Sequence, residues 1–177
     1  MHQHQSQPQP APFSPELRLA AGRCVQARAE ADVIVKNHVI VSSGLGLVPM
    51  PLLDGAALAN VQLNLVGRLA DHYGVPSTPL YPSMLLSVTG GALPFLLTAG
   101  AGSLFKFIPG PGSLAGGMLQ SVLASAVTYA VGHVFMEHFE AGGTLADLDF
   151  AALRKRFRLQ FRHGLREGRQ LARVGGR

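Results

Sequence analysis

The sequence predicts an all-α protein with two helical hairpins and a C-terminal basic amphipathic helix. Three observations favour this fold class. Apolar residues make up 47% of the 177 residues and charged residues only 14%, whereas an ordinary soluble domain has about a quarter charged residues. A proline–x–proline element occurs twice, as VPMP and IPGP, each before a helix-like run. Near the C-terminus, arginines surround an apolar stripe with helical spacing.

The chain is long enough for one domain and too short for two sizeable cores. Residues 1–15 are polar and lack the features of a signal peptide, so we expect a disordered leader. Residues 16–170 are predicted to form a single helical membrane-associated domain, followed by a flexible tail at 171–177. The only cysteine, Cys24, predicts neither an internal disulfide nor a structural zinc site.

The first hairpin is predicted around the VPMP element. Pro49 and Pro51 end the first helix because proline lacks the backbone N–H that a helix interior needs. Asp54 is suited to cap the next helix, predicted over 55–73.

The second hairpin is predicted around IPGPGS. Pro109 and Pro111 interrupt the helix and Ser113 caps its continuation, as Asp54 does in the first hairpin, so the pair reads as an internal pseudo-repeat. The flanking runs, 74–105 and 107–136, contain no Asp, Glu, Lys or Arg. Each exceeds the roughly 20 residues of a membrane crossing. The alternative is a soluble helical bundle in which this hairpin forms the core and binds a lipid or another hydrophobic ligand.

The C-terminal helix is predicted to start at a capping box formed by Thr144 and Asp147. Its apolar stripe is Phe150, Leu153, Phe157, Phe161 and Leu165. Its candidate lipid-surface residues are Arg154, Lys155, Arg158, Arg162 and Arg166. Two interpretations remain open: the helix lies on anionic lipid, or its stripe packs on the bundle while the arginines stay solvated. Nucleic acid is not an expected partner.

The most suggestive polar residues form a candidate site of Asp54, Gln62, Asn60 and Asn64. An ionisable group at membrane depth is a candidate for binding a cation, a proton or a lipid headgroup. The structural interpretation, which we favour, is that Asp54 caps a helix and Gln62 hydrogen-bonds a neighbouring helix.

No motif indicates catalysis or a metal. His133, Glu137, His138 and Glu140 share part of a helix, but their spacing matches no established metal motif and suits a solvated helix end. There is no GxSxG element and no GxxxxGK[ST] phosphate-binding loop. We therefore expect a non-enzymatic protein with no cofactor and no catalytic residues.

Taken together, the landmarks resemble those of the bacterial domain of unknown function six-nine-seven, a YcjF-like family of membrane-associated helical domains. They are Pro49, Pro51, Asp54, Gln62, Tyr73, Gly74, Pro109, Gly110, Gly112, Thr128, Gly132 and the segment FEAGG.

The resemblance spans about 31–168 and brings no catalytic residues with it. Some relatives carry this domain beside an Era-like GTPase domain, which implies membrane lipids and a GTPase as partners. Glycine-rich faces further predict self-association. An even number of crossings and the basic tail predict a bacterial inner-membrane location with both termini cytoplasmic.

Overall fold

The computed structural model describes residues 14–45, 51–76 and 111–175. Within them the chain forms four helices and no strand: α1 (Pro15–Leu45), α2 (Pro51–His72), α3 (Pro111–Glu140) and α4 (Phe150–Gly175). The all-α fold class is confirmed. The predicted leader lies outside the described residues except for its last two, and so does almost all of the first arm of the predicted second hairpin.

The starts of α2 and α3 differ from those predicted. The helices begin at Pro51 and Pro111, so Asp54 and Ser113 lie inside the first turn rather than before it. Proline suits the first helical position because its fixed φ is already helical and no N–H is needed there. The predicted turns around Pro49 and Pro109 lie outside the described residues.

Glycines follow the ends of α2 and α3. Gly142 has a φ of 81°, and its N–H donates to the carbonyl of Phe139 over 2.9 Å. The next N–H, of Gly143, donates to His138 over 3.0 Å. This pair of bonds satisfies the last carbonyls of the helix and needs a left-handed residue, which glycine adopts without strain. Gly74, with a φ of 67°, ends α2 with the same pattern.

The predicted start of α4 at Thr144 is wrong. The Asp149 carboxylate caps the helix by accepting from the N–H groups of Ala151 and Ala152 over 2.9 and 3.3 Å. The N–H and hydroxyl of Thr144 instead donate to Asp147 in the preceding turn, over 2.6 and 2.9 Å. These bonds, the backbone one first, lower the pKa of the exposed Asp147.

Direct contacts between side chains fix the direction of the helices. The hydroxyls of Ser42 and Thr128 lie 2.7 Å apart, and Arg28 contacts Glu140, so α1 and α3 run antiparallel. The hydroxyl of Tyr73, which follows α2, donates to the Glu140 carboxylate over 3.0 Å. The end of α2 therefore lies beside the end of α3.

The helix α3 lies at the centre of the described bundle and packs against α1, α2 and α4. Within the described residues, Gly117–Glu140 is the one helical stretch long and apolar enough to cross a membrane, and 67% of the apolar window within it is buried inside the protein. The largest fully buried apolar side chains come mainly from α2 and α3: Phe135, Leu65, Leu69, Met136, Val66, Val131 and Val134. The apolar face of α3 is thus largely used to build the protein core.

A very close contact joins α4 to α3. A Cβ at Gly164 would lie 2.7 Å from the backbone oxygen of Ala126, and one at Gly168 would lie 2.8 Å from that of Val122. Because Gly164 and Gly168 are one turn apart, both lie on the buried face of α4 and let the two backbones approach. The helix continues to Gly175, and Leu171 packs against the core within the predicted tail.

Candidate functional site

The structure does not gather the predicted polar residues of α2 into one site. Gln62 is 5% exposed and its Nε2 has no hydrogen-bond partner among the described residues. Asn60 is exposed, and the Oδ1 of Asn64 lies 3.0 Å from the Nε2 of His38 on α1. Gln62 is therefore buried while the two asparagines lie at the surface. The side chain of Asp54 lies outside the described residues.

Hydroxyl pairs join α1 to α3, and the sequence did not suggest them. Ser42 and Thr128 are both fully buried, and Ser43 lies 2.8 Å from Ser121 through their hydroxyls. Ser42 also donates to the carbonyl of His38 over 2.8 Å. These groups are buried or partly buried but satisfied, so they position the helices at little energetic cost.

The end of α3 carries an ionic cluster. The Glu140 carboxylate accepts from both Arg28 and the Tyr73 hydroxyl. Burial, followed by the bond to Glu140, raises the pKa of Tyr73 above its usual value. This cluster joins α1, α2 and α3 and holds Tyr73 as a neutral donor.

The other ligand-type residues near this end have separate partners. Glu137 accepts from Gln160 Nε2 over 2.6 Å, and the Nε2 of His138 lies 2.8 Å from the carbonyl oxygen of Thr144. No group of three or more His, Cys, Asp or Glu side chains within the described residues is arranged to hold a metal ion. Glu137, His138 and Glu140 thus connect the ends of helices.

The outer face of α4 forms a cationic strip. Positions 155, 158, 162, 166, 169 and 173 recur at three- and four-residue steps, so their side chains lie on one side of the helix. All are exposed, whereas Leu153, Phe157 and Phe161 are buried on the opposite side. The strip consists of Lys155, Arg158, Arg162, Arg166, Arg169 and Arg173. It extends for about 27 Å at about 1.5 Å per residue.

This strip contains four of the five predicted lipid-surface residues. The fifth, Arg154, is also exposed but lies at the edge of the buried face. The predicted lipid-surface residues did not include Arg169, at the end of the predicted domain, or Arg173, in the predicted tail, although α4 continues to Gly175. Eight basic residues and one acidic residue, Glu167, give α4 a formal charge of +7. Positive charge is therefore concentrated on one helix.

Leu159 adds an apolar group to the same face. It is 56% exposed and lies between Lys155 and Arg162 on successive turns. An isolated exposed leucine is common at protein surfaces. Where the surrounding cations contact a layer of lipid headgroups, the Leu159 side chain can enter that layer.

Comparison with known proteins identifies a family and a relative. A family model described as Domain of unknown function (DUF697) matches residues 18–162. The Magnetosome membrane protein 22 of Magnetospirillum gryphiswaldense is 36% identical over 140 residues, which cover 76% of this chain and 70% of that protein. No solved structure shows a significant match. The matched region contains almost all of α1, all of α2 and α3 and the first half of α4, and the chain belongs to the family of domain of unknown function DUF697.

Proposed function

We propose that the chain is a non-enzymatic, membrane-associated interaction protein that binds an anionic lipid surface through the cationic strip of α4. The observation that carries the proposal is the separation of the two faces of this helix. Three residues of its apolar stripe, Leu153, Phe157 and Phe161, are buried in the bundle, while six cations project on the opposite side. The strip is thus available to a partner without any rearrangement of the fold.

Electrostatics favours a lipid surface as that partner. Each basic residue held near an anionic leaflet contributes on the order of 1 kcal/mol. A straight strip allows all six to reach a flat surface together. Because Leu153, Phe157 and Phe161 are occupied by packing, Leu159 is the large apolar side chain that is exposed among those described on α4. Binding should therefore weaken strongly as salt is added.

Known proteins support the same assignment. The name of the Magnetospirillum relative places that protein in a membrane, which favours membrane association for this chain. The resemblance to domains found beside Era-like GTPases supports a GTPase as partner. We assign the chain to the cytoplasmic face of a bacterial inner membrane, where it serves as an anchor or adaptor and can self-associate.

The packing of α3 favours attachment at the surface over a crossing by this helix. Three helices enclose α3, and α4 carries its charges along its whole length. Charged side chains in hydrocarbon cost several kcal/mol each. We therefore propose that α3 stays within the bundle, as in the soluble-bundle alternative. The apolar run 74–105 lies almost entirely outside the described residues, and its crossing stays a prediction.

Vesicle binding tests the proposal with two variants of equal charge. Arg158→Glu/Arg162→Glu changes the strip, while Arg18→Glu/Arg23→Glu changes two exposed arginines of α1. Loss of two cations costs about 2 kcal/mol, or about thirtyfold in affinity, and the added carboxylates increase the loss. Flotation with vesicles of phosphatidylcholine and phosphatidylglycerol should show this loss for the strip variant only.

Two outcomes would contradict the proposal. Equal weakening by both variants would show that only net charge matters. Binding of the unchanged protein that is the same with and without phosphatidylglycerol would show that anionic lipid is not the ligand. Circular dichroism of each variant establishes that its helices remain folded.

A further inference from the structure

The first half of α1 extends beyond the bundle. Arg28 contacts Glu140, the last residue of α3, so residues 15–27 continue past the end of that helix. At about 1.5 Å per residue this free half is about 20 Å long. All its residues are exposed except Ala20 and Ala27, which are half-buried. A single helix of this length is marginal in water, so a contact along its apolar side would stabilise it.

The apolar side of the free half continues the buried face of α1. Inside the bundle this face consists of Ala31, Val35 and the residues that follow them at helical spacing. Leu17, Ala21 and Cys24 precede them at steps of four and three residues, and Ala31 follows Cys24 after seven, so all lie on one side of the helix. Outside the bundle this side is exposed. We call the exposed residues Leu17, Ala21, Cys24 and Val25 the free stripe.

The spacing of the free stripe suits another helix. A repeat of seven residues with alternating steps of three and four is the pattern by which one helix packs along another. Within the bundle α3 fills this role, since Gly132 lies against Val35. Beyond Glu140, no described residue covers the same side of α1. The small side chains of Ala21 and Cys24 let a second helix backbone come close.

The charges at the end of α3 indicate which helix end belongs there. The segment 140–149 contains Glu140, Asp147 and Asp149 and no Lys or Arg, and the C-terminus of α3 adds the negative end of a helix dipole. The free half of α1 has two arginines and one glutamate, a net charge of +1, and begins with the positive end of a helix dipole. The N-terminus of a second free half therefore complements the end of α3, whereas an anionic membrane does not.

The geometry of the bundle permits this pairing in the antiparallel orientation. A parallel copy would run along the same side of α1 into the space that α3 occupies. An antiparallel copy ends at Glu140, and its own bundle lies beyond Pro15. The two free halves are identical and therefore match in length. A pair related in this way by a two-fold axis is closed and needs no further copy.

We propose that two copies of the chain form an antiparallel dimer through their free stripes. This inference rests on the self-association included in the proposed function and names its surface. Ala21 of one copy faces Cys24 of the other near the two-fold axis, and Leu17 of each copy lies beside the end of the other copy's α3. The two bundles lie at opposite ends of the dimer, with centres about 40 Å apart.

Sedimentation velocity of the full chain without vesicles tests the dimer. The unchanged chain should show a monomer–dimer equilibrium as its concentration is varied. Ala21→Glu should raise the dissociation constant at least tenfold, because it places a carboxylate in the contact. Ala29→Glu adds the same charge to an exposed alanine of α1 outside the free stripe and should change the constant less than twofold. Since both alanines are exposed in the monomer, circular dichroism should show that both variants stay folded.

Two leucines provide a second matched pair. Leu17 belongs to the free stripe, while Leu19 is 68% exposed and lies on the opposite side of the helix. Leu17→Ala should therefore weaken the dimer several-fold, and Leu19→Ala should not. A nitroxide attached to Cys24 adds bulk at the closest approach of the two helices. The labelled chain should accordingly be monomeric, with its label exposed.

Small-angle X-ray scattering of the dimer distinguishes the two orientations. Antiparallel pairing predicts two separate masses about 40 Å apart, whereas two bundles lying side by side would contradict it. The proposal is also overturned if the chain is monomeric at every concentration, or if Ala21→Glu and Ala29→Glu dimerise equally well. Flotation at concentrations below the dissociation constant of the dimer measures the cationic strip alone. Lipid binding and dimer formation can therefore fail separately.

Discussion

Replacement of both glycines in the α3–α4 contact, Gly164→Ala/Gly168→Ala, is expected to lower the free energy of unfolding by about 2–4 kcal/mol. Overpacking costs about 1–3 kcal/mol per site, and here each new methyl meets a backbone oxygen 2.7 or 2.8 Å away. A backbone oxygen cannot rotate aside as a side chain can, so the cost lies in the upper part of this range, about 2–3 kcal/mol per site. Alanine's better helix propensity returns about 1 kcal/mol per site, which leaves a clear net loss. Urea unfolding followed by circular dichroism measures the change.

The matched control is Gly22→Ala/Gly44→Ala on α1. Among the described residues, a Cβ at either position meets no atom within 4 Å apart from its own stretch of helix. Only the propensity gain of about 1 kcal/mol per site then remains, so unfolding should become less favourable by up to about 2 kcal/mol. The two double variants therefore shift stability in opposite directions. A stabilised Gly164→Ala/Gly168→Ala would mean that α3 and α4 are not in close contact.

Substitutions at the junction of α1, α2 and α3 are expected to have the second large effect on the free energy of unfolding. A Cβ at Gly132 would lie 2.8 Å from both γ-carbons of Val35 and 3.3 Å from a δ-carbon of Leu65. Val35 is fully buried. Val35→Ala removes two methyl groups and should cost about 2–3 kcal/mol with its cavity. Gly132→Ala should also destabilise, through overpacking.

The two substitutions should compensate each other. The methyl added at Gly132 occupies space that Val35→Ala vacates, so the double variant should be more stable than the sum of the single effects by about 1–2 kcal/mol. A double-mutant cycle in urea measures this coupling. Val33 on the same helix is 55% exposed, and Val33→Ala should not couple to Gly132→Ala. Additivity of Val35→Ala and Gly132→Ala would contradict the close packing of this junction.

The features of the fold that the sequence predicted are those that depend on local signals. Gly74 and Gly142 end their helices in a left-handed backbone conformation. Glycine adopts this conformation with little dependence on the residues around it. The stripe of α4 likewise follows from spacing alone. The cap of α4 was misplaced because Thr144, with Asp147 three residues later, and Asp149 both suit a cap. Only the direction of the chain after the turn selects between them.

The environment of α3 could not be predicted in the same way. Its apolar sequence suits either lipid or the interior of a bundle, because hydropathy does not identify the contacting group. The spacing of Gly164 and Gly168 on the apolar side of α4 was the available signal for a neighbouring helix. These glycines lie outside the predicted second hairpin, so the sequence of α3 itself does not contain that signal. A groove of about 500 Å³ between α1, α3 and α4 was also not predictable, since its residues come from three helices far apart in the chain.

The central claim is that the bundle lies on an anionic membrane through the outer face of α4. Spin labels compared at two exposed positions test it directly: native Cys24 on α1, and Leu159→Cys in a Cys24→Ser background. With phosphatidylglycerol vesicles, the label at 159 should lose contact with a water-soluble relaxation agent, while the label at 24 keeps it. If the label at 159 stays as accessible as in solution, or the label at 24 is protected instead, the claim is contradicted.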